Sequence, residues 1–319
     1  MTGLPGPRTA PSGGEADHAS PLTLVLLAAG LGSRFGGLKQ LAPLGPGGAT
    51  LMDYSLYDAW RVGFRRAVFV IRPEISEAFE ATIGTRYRPR LEIATAFQRL
   101  EDLPDGRRPP EGRTRPWGTT QAVLAARDAV GGPFAVLNAD DFYGRPALEA
   151  VAAFLRRTPP ADQRHAVVGY RMEQTASPAG GVNRAVLRLH PDRTLARIVE
   201  TRDLVRGDAG FTGHAGAEAV LVRGDAPVSM NLWGFFPSIF PLMADGFSRF
   251  LAAHGAEEKS EYYLPEAVQE AIAAGRILVD VLPAAGQWCG VTYAEDTGWV
   301  RQVLADLTSA GEYPEALWT

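Results

Sequence analysis

Short apolar runs alternate with helix-like segments along the first half of the chain. The apolar runs are four to eight residues long and lie at 22–29, 66–71, 91–97 and 134–137. Runs of this length are typical of strands that are buried on both faces. The segments between them place apolar residues at helical spacing and predict helices at 50–63, 74–84, 119–130 and 147–157. This alternation predicts an α/β fold with a mostly parallel sheet.

The second half of the chain follows a less regular pattern. It predicts further strands at 166–172, 185–189, 198–200, 230–236 and 277–282, and helices at 238–254, 262–274 and 294–310. Residues 203–227 are rich in Gly and Ala, which predicts a long loop or lid. The charged, Pro-rich residues 98–116 predict a segment that lies on the surface, a surface excursion from the sheet. The sequence does not determine the function of segment 98–116 or of segment 203–227 as a whole.

The chain shows no long polar linker after residue 21, so the sequence predicts a single domain over 22–319. We divide this domain into a first half at 22–157 and a second half at 158–310. Residues 1–21 are rich in Gly, Pro, Ser and Ala and contain no apolar stretch. They predict a disordered leader rather than a secretory signal.

Composition and charge exclude several classes of protein. Of the 319 residues, 46% are hydrophobic and 21% charged, as in globular domains, and the net charge is −4. Such a chain lacks the polybasic character of proteins that bind nucleic acid or anionic membranes. Cys289 is the one cysteine, which excludes an internal disulfide and a multi-cysteine zinc site. We expect a cytoplasmic protein with neither nucleic acid nor membrane as a partner, and its oligomeric state stays open.

A glycine-rich loop follows the first predicted strand. Four glycines within residues 30–37 allow backbone N–H groups to approach a polyphosphate closely. Arg34 and Lys39 add two cations to the loop. The Arg guanidinium can bind two phosphate oxygens at once, and the Lys ammonium is a compact point charge. The loop is not a Walker A motif, because no Gly-Lys-Ser/Thr ends it. Its G-x-G-x-x-x-G spacing also suits a dinucleotide site, which would need an acid at the end of the second strand, where Arg72 stands instead.

Two carboxylates directly follow the strand predicted at 134–137. An Asp at the position of Asp140 can ligate Mg²⁺, a hard cation that prefers oxygen ligands. The same residue types also cap helices, and Asp141 in particular suits the start of the helix near Pro146.

The run Leu27-Ala28-Ala29-Gly30-x-Gly32-x-Arg34, followed by Lys39, resembles the signature loop of the nucleotidyltransferases that make nucleoside-diphosphate sugars. The resemblance implies a doubly wound, Rossmann-like sheet with a small antiparallel extension on the acceptor side. It also implies that the loop wraps a nucleoside triphosphate. One departure is that Arg34 and Lys39 are closer together than in most members that act on sugar phosphates. The short loop is more similar to those of molybdenum-cofactor-type enzymes and cytidylyltransferases, which leaves the substrate open.

The resemblance assigns roles to residues along most of the chain. Arg34 and Lys39 become the catalytic cations, and Asp140 matches the metal-binding Asp. Asp296 is the Asp nearest to the second metal position, although it suits the acidic start of a helix equally well. Nucleotide binding falls to Ala28, Ala29, Gly30, Gly32, Gln98, Gly118, Thr119 and Asn138. Acceptor binding falls to Asp141, Asn183, Glu200 and Asn231.

Two of the assigned nucleotide-binding positions also have a plain chemical rationale. The amide of Gln98 can both donate to and accept from the edge of a base, and Gly118 leaves space for the base plane. Thr119 also suits the N-cap of the helix that follows it.

The implied reaction is the Mg²⁺-dependent transfer of a nucleoside monophosphate from a nucleoside triphosphate to a phosphorylated acceptor. A sugar 1-phosphate is the expected acceptor, and pyrophosphate is released. One alternative is a cytidylyltransferase that acts on a phospho-alcohol such as phosphocholine. A metal-dependent glycosyltransferase, an NAD(P)-dependent oxidoreductase and a non-catalytic nucleotide-binding regulator are alternatives from other classes. The sequence does not determine the base or the acceptor.

The role of Lys39 gives a first testable prediction. If its ammonium stabilises the pentavalent α-phosphate, Lys39→Ala lowers turnover far more than it lowers nucleotide affinity. Steady-state kinetics combined with a nucleotide titration would separate the two quantities. Normal turnover in this variant would contradict the role.

Overall fold

The structure is a computed structural model, and it describes residues 21–29, 43–81 and 85–318. Most of the leader, residues 1–20, lies outside this range. So do four predicted site residues of the glycine-rich loop, namely Gly30, Gly32, Arg34 and Lys39. The roles assigned to these four residues therefore stay predictions.

The described residues form strands and helices in the alternation that the sequence predicts for its first half. The strands are β1 Leu22–Leu27, β2 Phe64–Ile71, β3 Glu92–Phe97, β4 Phe134–Asn138, β5 Asp141–Phe142, β6 Arg164–Arg171, β7 Val182–Leu189, β8 Leu195–Gly207, β9 Gly210–Ala215, β10 Glu218–Val222, β11 Pro227–Phe235, β12 Leu278–Pro283 and β13 Cys289–Gly290. The α-helices are α1 Leu51–Arg61, α2 Ser76–Phe79, α3 Thr85–Tyr87, α4 Thr119–Ala125, α5 Arg145–Arg157, α6 Ile239–His254, α7 Leu264–Ala273 and α8 Asp296–Ser309.

A parallel sheet forms the first half of the fold. Its strands lie in the order β4-β1-β2-β3, and each pairs in parallel with its neighbour. Strand β11 adds to β4 in the antiparallel direction, β6 adds to β11, and β12 pairs in parallel with β6. The predicted α/β class with an antiparallel extension is confirmed. Because β1, β2 and β4 are parallel, their carboxyl ends meet at one edge of the sheet, where ligands bind in open α/β folds.

Helices cover both faces of this sheet. Alternate residues of β1 point to opposite faces, so Leu24 and Leu26 pack with the core beneath α1 and α5, whereas Val25 packs with α4, α6 and α7. This two-sided burial explains the continuous apolar runs in the sequence. Within the part of the chain that the structure describes, no helix is both long and apolar enough to cross a membrane.

Residues 203–227 form an antiparallel ribbon, so the expectation of a long loop or lid was wrong. Strands β7, β8, β9 and β10 pair side by side through tight turns, and Gly210 and Gly216 adopt positive φ within this segment. Leu204, Phe211 and Val222 are buried along one face of the ribbon. The small residues between them hid this apolar pattern in the sequence.

Two further predictions need correction. The helix expected over 74–84 is helical from 73 to 81, but it is irregular, since it begins as a 3₁₀ turn at Pro73–Ile75 and only α2 is α-helical; residues 82–84 lie outside the described residues. Residues 98–116 are only partly a surface excursion, because buried side chains hold them in place. The indole Nε1 of Trp117 donates to the carbonyl of Leu100 at 3.0 Å, and Nε2 of Gln121 donates to the carbonyl of Arg99 at 2.7 Å.

A buried carboxyl links α1 to the end of the chain. The hydroxyl of Tyr313 donates to Oδ2 of Asp58 at 2.6 Å. Oδ1 of Asp58 is buried without a hydrogen-bond partner among the described residues. Burial raises the pKa of Asp58 to about 7, although the bond from Tyr313 opposes this rise. The folded state therefore favours the neutral acid.

This raised pKa predicts that Asp58→Asn changes the pH dependence of stability. Between about pH 4 and about pH 7, the unfolded chain loses the Asp58 proton while the folded chain keeps it. The free energy of unfolding of the wild type should therefore fall with rising pH relative to the variant, by on the order of 3–4 kcal/mol in total. Denaturant titrations across this range would measure the difference. The exposed Asp162→Asn is the control, and wild-type and Asp58→Asn curves that stay parallel would contradict the prediction.

Candidate active site

The carboxyl ends of β1 and β4 bring candidate residues of two distant segments to one place. Leu27 pairs with Asn138 in the sheet, and the N–H of Ala139 donates to the carbonyl of Leu27 at 3.1 Å. The N–H of Ala28 donates to the carbonyl of Val70 at 2.9 Å. Asp140 therefore emerges beside the start of the glycine-rich loop, at the ligand-binding edge of the sheet.

Two cavities open at this edge. The first cavity, of about 770 Å³, is lined by several residues assigned to the nucleotide, namely Ala29, Gln98, Gly118, Thr119 and Asn138, and by Asp140. The second cavity, of about 560 Å³, is lined by all four residues assigned to the acceptor, namely Asp141, Asn183, Glu200 and Asn231. Thr119, Asn138 and Asp140 line both cavities, so they mark the junction between them.

Gly118 allows two chain segments to touch at the wall of the first cavity. It has a φ of +100°, and a Cβ at this position would lie 2.5 Å from the carbonyl oxygen of Tyr262. The N–H of Tyr262 donates to the carbonyl of Trp117 at 2.8 Å, and the N–H of Thr120 donates to the carbonyl of Tyr262 at 3.1 Å. A residue other than glycine would have to break this contact.

Thr119 joins the same two segments through its side chain. Its Oγ1 accepts the N–H of Leu264 at 2.8 Å, at the first residue of α7. The N-cap of α4 is Gly118, so the N-cap role that the sequence allowed for Thr119 is wrong.

Gln98 is buried against the same glycine. Its Nε2 donates to the carbonyl of Gly118 and to Oε1 of Gln121, both at 3.0 Å. Both amide hydrogens are therefore used within the protein. In the proposed base-reading role, Gln98 can offer its carbonyl oxygen as an acceptor and no donor.

A chain of side-chain hydrogen bonds connects the two cavities. Nδ2 of Asn138 donates to Oδ2 of Asp141 at 2.9 Å, and Oδ1 of Asn138 accepts Nδ2 of Asn231 at 2.7 Å. Oδ1 of Asn231 accepts the indole N–H of Trp233 at 2.8 Å. Tyr143 supports the chain, since its hydroxyl accepts the N–H of Asn138 at 3.0 Å and donates to the carbonyl of Met230 at 2.9 Å. These bonds fix the side chains of β4 and β11 relative to each other.

Asp141 is held in an environment that disfavours its charge. Removal from water and the adjacent Asp140 raise the pKa of Asp141 to about 7, in spite of the bond from Asn138. Gly290 lies against this carboxyl, because a Cβ there would come within 2.7 Å of Oδ1 of Asp141. The surroundings of Asp141 therefore favour its neutral form.

The sequence profile of the Nucleotidyl transferase family matches residues 23–185, which is half of the chain and includes β1, β4 and Asp140. The chain belongs to this family. It is a nucleotidyltransferase, as the resemblance in the sequence implied.

Solved structures of nucleotidyltransferases share its fold. The inositol-1-phosphate CTP transferase from T. maritima is 14% identical with a TM-score of 0.61, over 91% of this chain and 97% of that one. A putative glucose-1-phosphate thymidylyltransferase from Bacillus anthracis, in complex with a sucrose, is 12% identical with a TM-score of 0.58, over 89% and 96%. A UDP-glucose pyrophosphorylase complexed with UDP-glucose is 14% identical with a TM-score of 0.53, over 89% and 98%. No curated protein matches the sequence significantly.

The carboxylates at the junction of the two cavities suit a metal ion that also binds a substrate. Among the described residues, no three His, Cys, Asp or Glu side chains are grouped so as to hold a metal ion. Mg²⁺ does not require such a group, because it is usually bound by one or two carboxylates together with substrate phosphates and water. Asp140, at the junction of the cavities, fits this pattern.

Asp296 does not line either cavity with Asp140. It is 2% exposed, and its Oδ2 accepts the N–H groups of Thr292 and Tyr293 at 3.1 and 2.8 Å. Its Oδ1 accepts the hydroxyl of Ser177 at 2.6 Å. These bonds correspond to the second role that the sequence allowed for Asp296, that of an acidic residue at the start of a helix, here α8. They do not favour its role as the second metal ligand.

The remaining acceptor residues lie on the antiparallel ribbon. Oδ1 of Asn183 on β7 accepts the N–H of Asp203 at 2.9 Å. Glu200 on β8 lies at the cavity, where partial desolvation and the nearby Glu266 raise its pKa. The ribbon thus supplies polar side chains to the second cavity.

The sequence reasoning missed several cations of both cavities. Arg72, Arg115 and Lys259 line the first cavity, and Arg184 and Arg202 line the second. One signal in the sequence was the rarity of lysine. The chain has 32 Lys and Arg residues in total, and Lys39 and Lys259 are its two lysines. Another was Arg72, which follows β2 directly and whose buried Nε has no hydrogen-bond partner among the described residues.

The contact at Gly118 predicts a large effect of Gly118→Ala. A Cβ at φ +100° against the backbone of Tyr262 should cost at least about 2 kcal/mol of stability. It should also weaken nucleotide binding, because the wall of the first cavity has to move. Thermal unfolding and a nucleotide titration would measure both effects. Gly131→Ala, where a Cβ would meet nothing within 4 Å, is the matched control, and equal behaviour of the two variants would contradict the prediction.

Proposed function

We propose that the protein transfers a nucleoside monophosphate from a nucleoside triphosphate to a sugar 1-phosphate and releases pyrophosphate, with Mg²⁺ as its metal ion. The product is a nucleoside-diphosphate sugar. One observation carries this proposal, namely that Asp140 stands where the two cavities meet. A triphosphate in the first cavity and a phosphorylated acceptor in the second would have their phosphates together at this junction.

The side chains of the second cavity favour a polyhydroxylated phosphate as the acceptor. Asn183, Glu200 and Asn231 offer amide and carboxylate groups that match hydroxyls. Arg184 and Arg202 supply positive charge for a phosphate. The names of two similar structures mention inositol 1-phosphate and glucose 1-phosphate, which are acceptors of this chemical class.

Phosphocholine fits the second cavity less well. A quaternary ammonium group binds best over open aromatic faces. The cavity contains the indole of Trp288, but the guanidinium of Arg184 lies over that ring at 5.1 Å from its centroid. A cation already occupies the face of Trp288, which leaves the ring of Tyr263 as the other aromatic group at this cavity for a choline.

In the proposed reaction, an oxygen of the acceptor's phosphate attacks the α-phosphorus of the nucleotide. The new P–O bond forms as the bond to the α–β bridging oxygen breaks, and pyrophosphate leaves in line. No protein side chain needs to form a covalent bond, so catalysis consists mainly of alignment and charge neutralisation. Arg34 would stabilise the leaving pyrophosphate, and Lys39 the pentavalent α-phosphate.

Asp140 would hold Mg²⁺, which when bound neutralises phosphate charge and orients the reacting oxygens. The backbone of residues 28–32 would cradle the triphosphate. Gln98 and Gly118 would contact the base, and Asn138 would hold Asn231 and Asp141 in position for the acceptor.

Pyrophosphate release tests this function. The enzyme would be incubated with Mg²⁺ and each of ATP, CTP, GTP, UTP and dTTP, against sugar 1-phosphates, inositol 1-phosphate and phosphocholine. We expect release that depends on both a particular base and a polyhydroxylated acceptor. Asp140→Asn should lower the rate by at least about a hundredfold, because it removes a charge at the reacting phosphates.

Asp162→Asn is the matched control for Asp140→Asn. Asp162 precedes β6, which runs parallel to β4, so it lies at the opposite edge of the sheet and should leave the rate unchanged. Nucleotide binding without pyrophosphate release from any pair would favour the non-catalytic regulator. Release of a nucleoside diphosphate from a nucleotide sugar would favour the glycosyltransferase.

A further inference from the structure

One buried arginine ties the end of the 98–116 segment to the connection between α6 and α7. The guanidinium of Arg113 donates to two carbonyls of its own segment, those of Arg115 at 2.9 Å and Pro116 at 3.1 Å. It also donates to the carbonyls of Glu257 and Ser260, both at 2.6 Å. Four of its five N–H groups are thus bonded. Two of these bonds stay within its own segment, and two reach a segment about 145 residues away in sequence.

The environment of Arg113 is unusual for an arginine. The residue is only 6% exposed, and its guanidinium carbon lies 3.4 Å from the ring centroid of Trp117. Its hydrogen-bond acceptors are backbone carbonyls, so changing a neighbouring side chain cannot remove them. A guanidinium group is planar and has five N–H donors that point in several directions, so it can bind all four carbonyls at once.

The two segments that Arg113 joins form the outer wall of the first cavity. Thr114 and Arg115 line the cavity from one side, and Glu258 and Lys259 line it from the other. Each of these four residues is adjacent in sequence to Arg113 or to one of the residues whose carbonyls it binds. The position of the wall, and of the cations Arg115 and Lys259 on it, therefore depends on the Arg113 bonds.

The inner wall of the cavity is held independently of Arg113. Thr119 and Thr120 bind Leu264 and Tyr262 through their own hydrogen bonds, and Asp140 follows β4 directly. Loss of the Arg113 bonds would loosen the outer wall and leave the junction of the two cavities in place.

We infer that Arg113 is a positioning residue, which holds the outer wall of the first cavity in the form that binds nucleoside triphosphate. The inference rests on the proposed function for the identity of this ligand. The wall contacts the nucleotide before and during the reaction alike, so the residue acts on nucleotide affinity and not on the chemical step.

The test compares Arg113→Gln and Arg113→Lys with Arg108→Gln. Arg108 is an exposed arginine of the same segment, so its variant removes the same charge without touching the wall. For Arg113→Gln, we expect the KM for the triphosphate to rise by roughly tenfold or more, since at least two partly buried hydrogen bonds to carbonyls are lost. The kcat and the KM for the acceptor should stay within about twofold of the wild type. Arg113→Lys keeps the positive charge but loses the planar guanidinium, so we expect an intermediate rise in the KM for the triphosphate.

Two further measurements keep the inference falsifiable if Arg113→Gln folds poorly. Calorimetric titration of the triphosphate into Arg113→Lys needs no acceptor, and it should show weaker binding than Arg108→Gln. Backbone hydrogen exchange should quicken in 98–117 and 255–261 and not in β1 or β4. An unchanged nucleotide KM, a kcat that falls as far as the KM rises, or full wild-type affinity in Arg113→Lys would overturn the inference.

These outcomes separate the inference from the proposed function. Wild-type enzyme that binds a triphosphate but releases no pyrophosphate contradicts the proposed function alone, and the calorimetric comparison still decides the role of Arg113. Wild-type enzyme that releases pyrophosphate, with Arg113→Gln kinetically normal, contradicts the inference alone. Wild-type enzyme that binds no triphosphate contradicts both.

Discussion

The hydrogen bond between the side chains of Asn138 and Asn231, 2.7 Å long, joins the two halves of the active site. Asn138 ends the parallel strand β4, whereas Asn231 lies on β11, which belongs to the antiparallel part of the fold. Asn231 has a φ of +64°, a conformation that Asn adopts more readily than most residues, and the pairing of β11 with β6 shifts register between Ser229 and Trp233. This irregularity turns the Asn231 amide toward Asn138, so the second cavity takes its position from the first.

Asn138 also binds Asp141 of the acidic pair, which stands where the two substrates of the proposed reaction would meet. Two ionised carboxylates at that point would repel the phosphates, and desolvation of Asp141 opposes this by raising its pKa. Arg184 lies close enough to oppose that rise, and desolvation lowers the pKa of Arg184 itself to about 10 in spite of Asp141. In the proposed function, Asp140 is the carboxylate that would hold the shared cation.

Local sequence patterns predicted the parts of the site that depend on neighbours in the chain. The strand, the glycine-rich loop and the acidic pair after β4 are each contiguous, so spacing and residue type identify them. Asn183, Glu200 and Asn231 came from the family resemblance, because a single polar residue on a strand has no distinctive local pattern. The bond from Leu264 to Thr119 spans 145 residues, and no local pattern reveals such a contact.

The ribbon at β8–β10 and the buried Arg113 were missed for a related reason. Glycine and alanine dominate residues 203–227, and the few buried apolar residues are too widely spaced to indicate strands. Charged and Pro-rich residues around Arg113 indicate a surface segment by composition, yet Arg113 itself is buried because its acceptors are backbone carbonyls, which composition does not show.

The hydrogen bonds between residues 113–120 and 257–264 divide the wall of the first cavity into two mechanical parts. Near Gly118, backbone bonds of Trp117 and Thr120 to Tyr262 and the bond from Leu264 to the Thr119 side chain join the segments, and Thr119 also lines the junction with the second cavity. Farther out, one guanidinium carries the connection. In the proposed function, substitutions at the outer part would therefore alter how tightly the nucleotide binds, because the geometry at Asp140 is held by β1 and β4. A fold with this division can change its nucleotide affinity while it keeps the same chemistry.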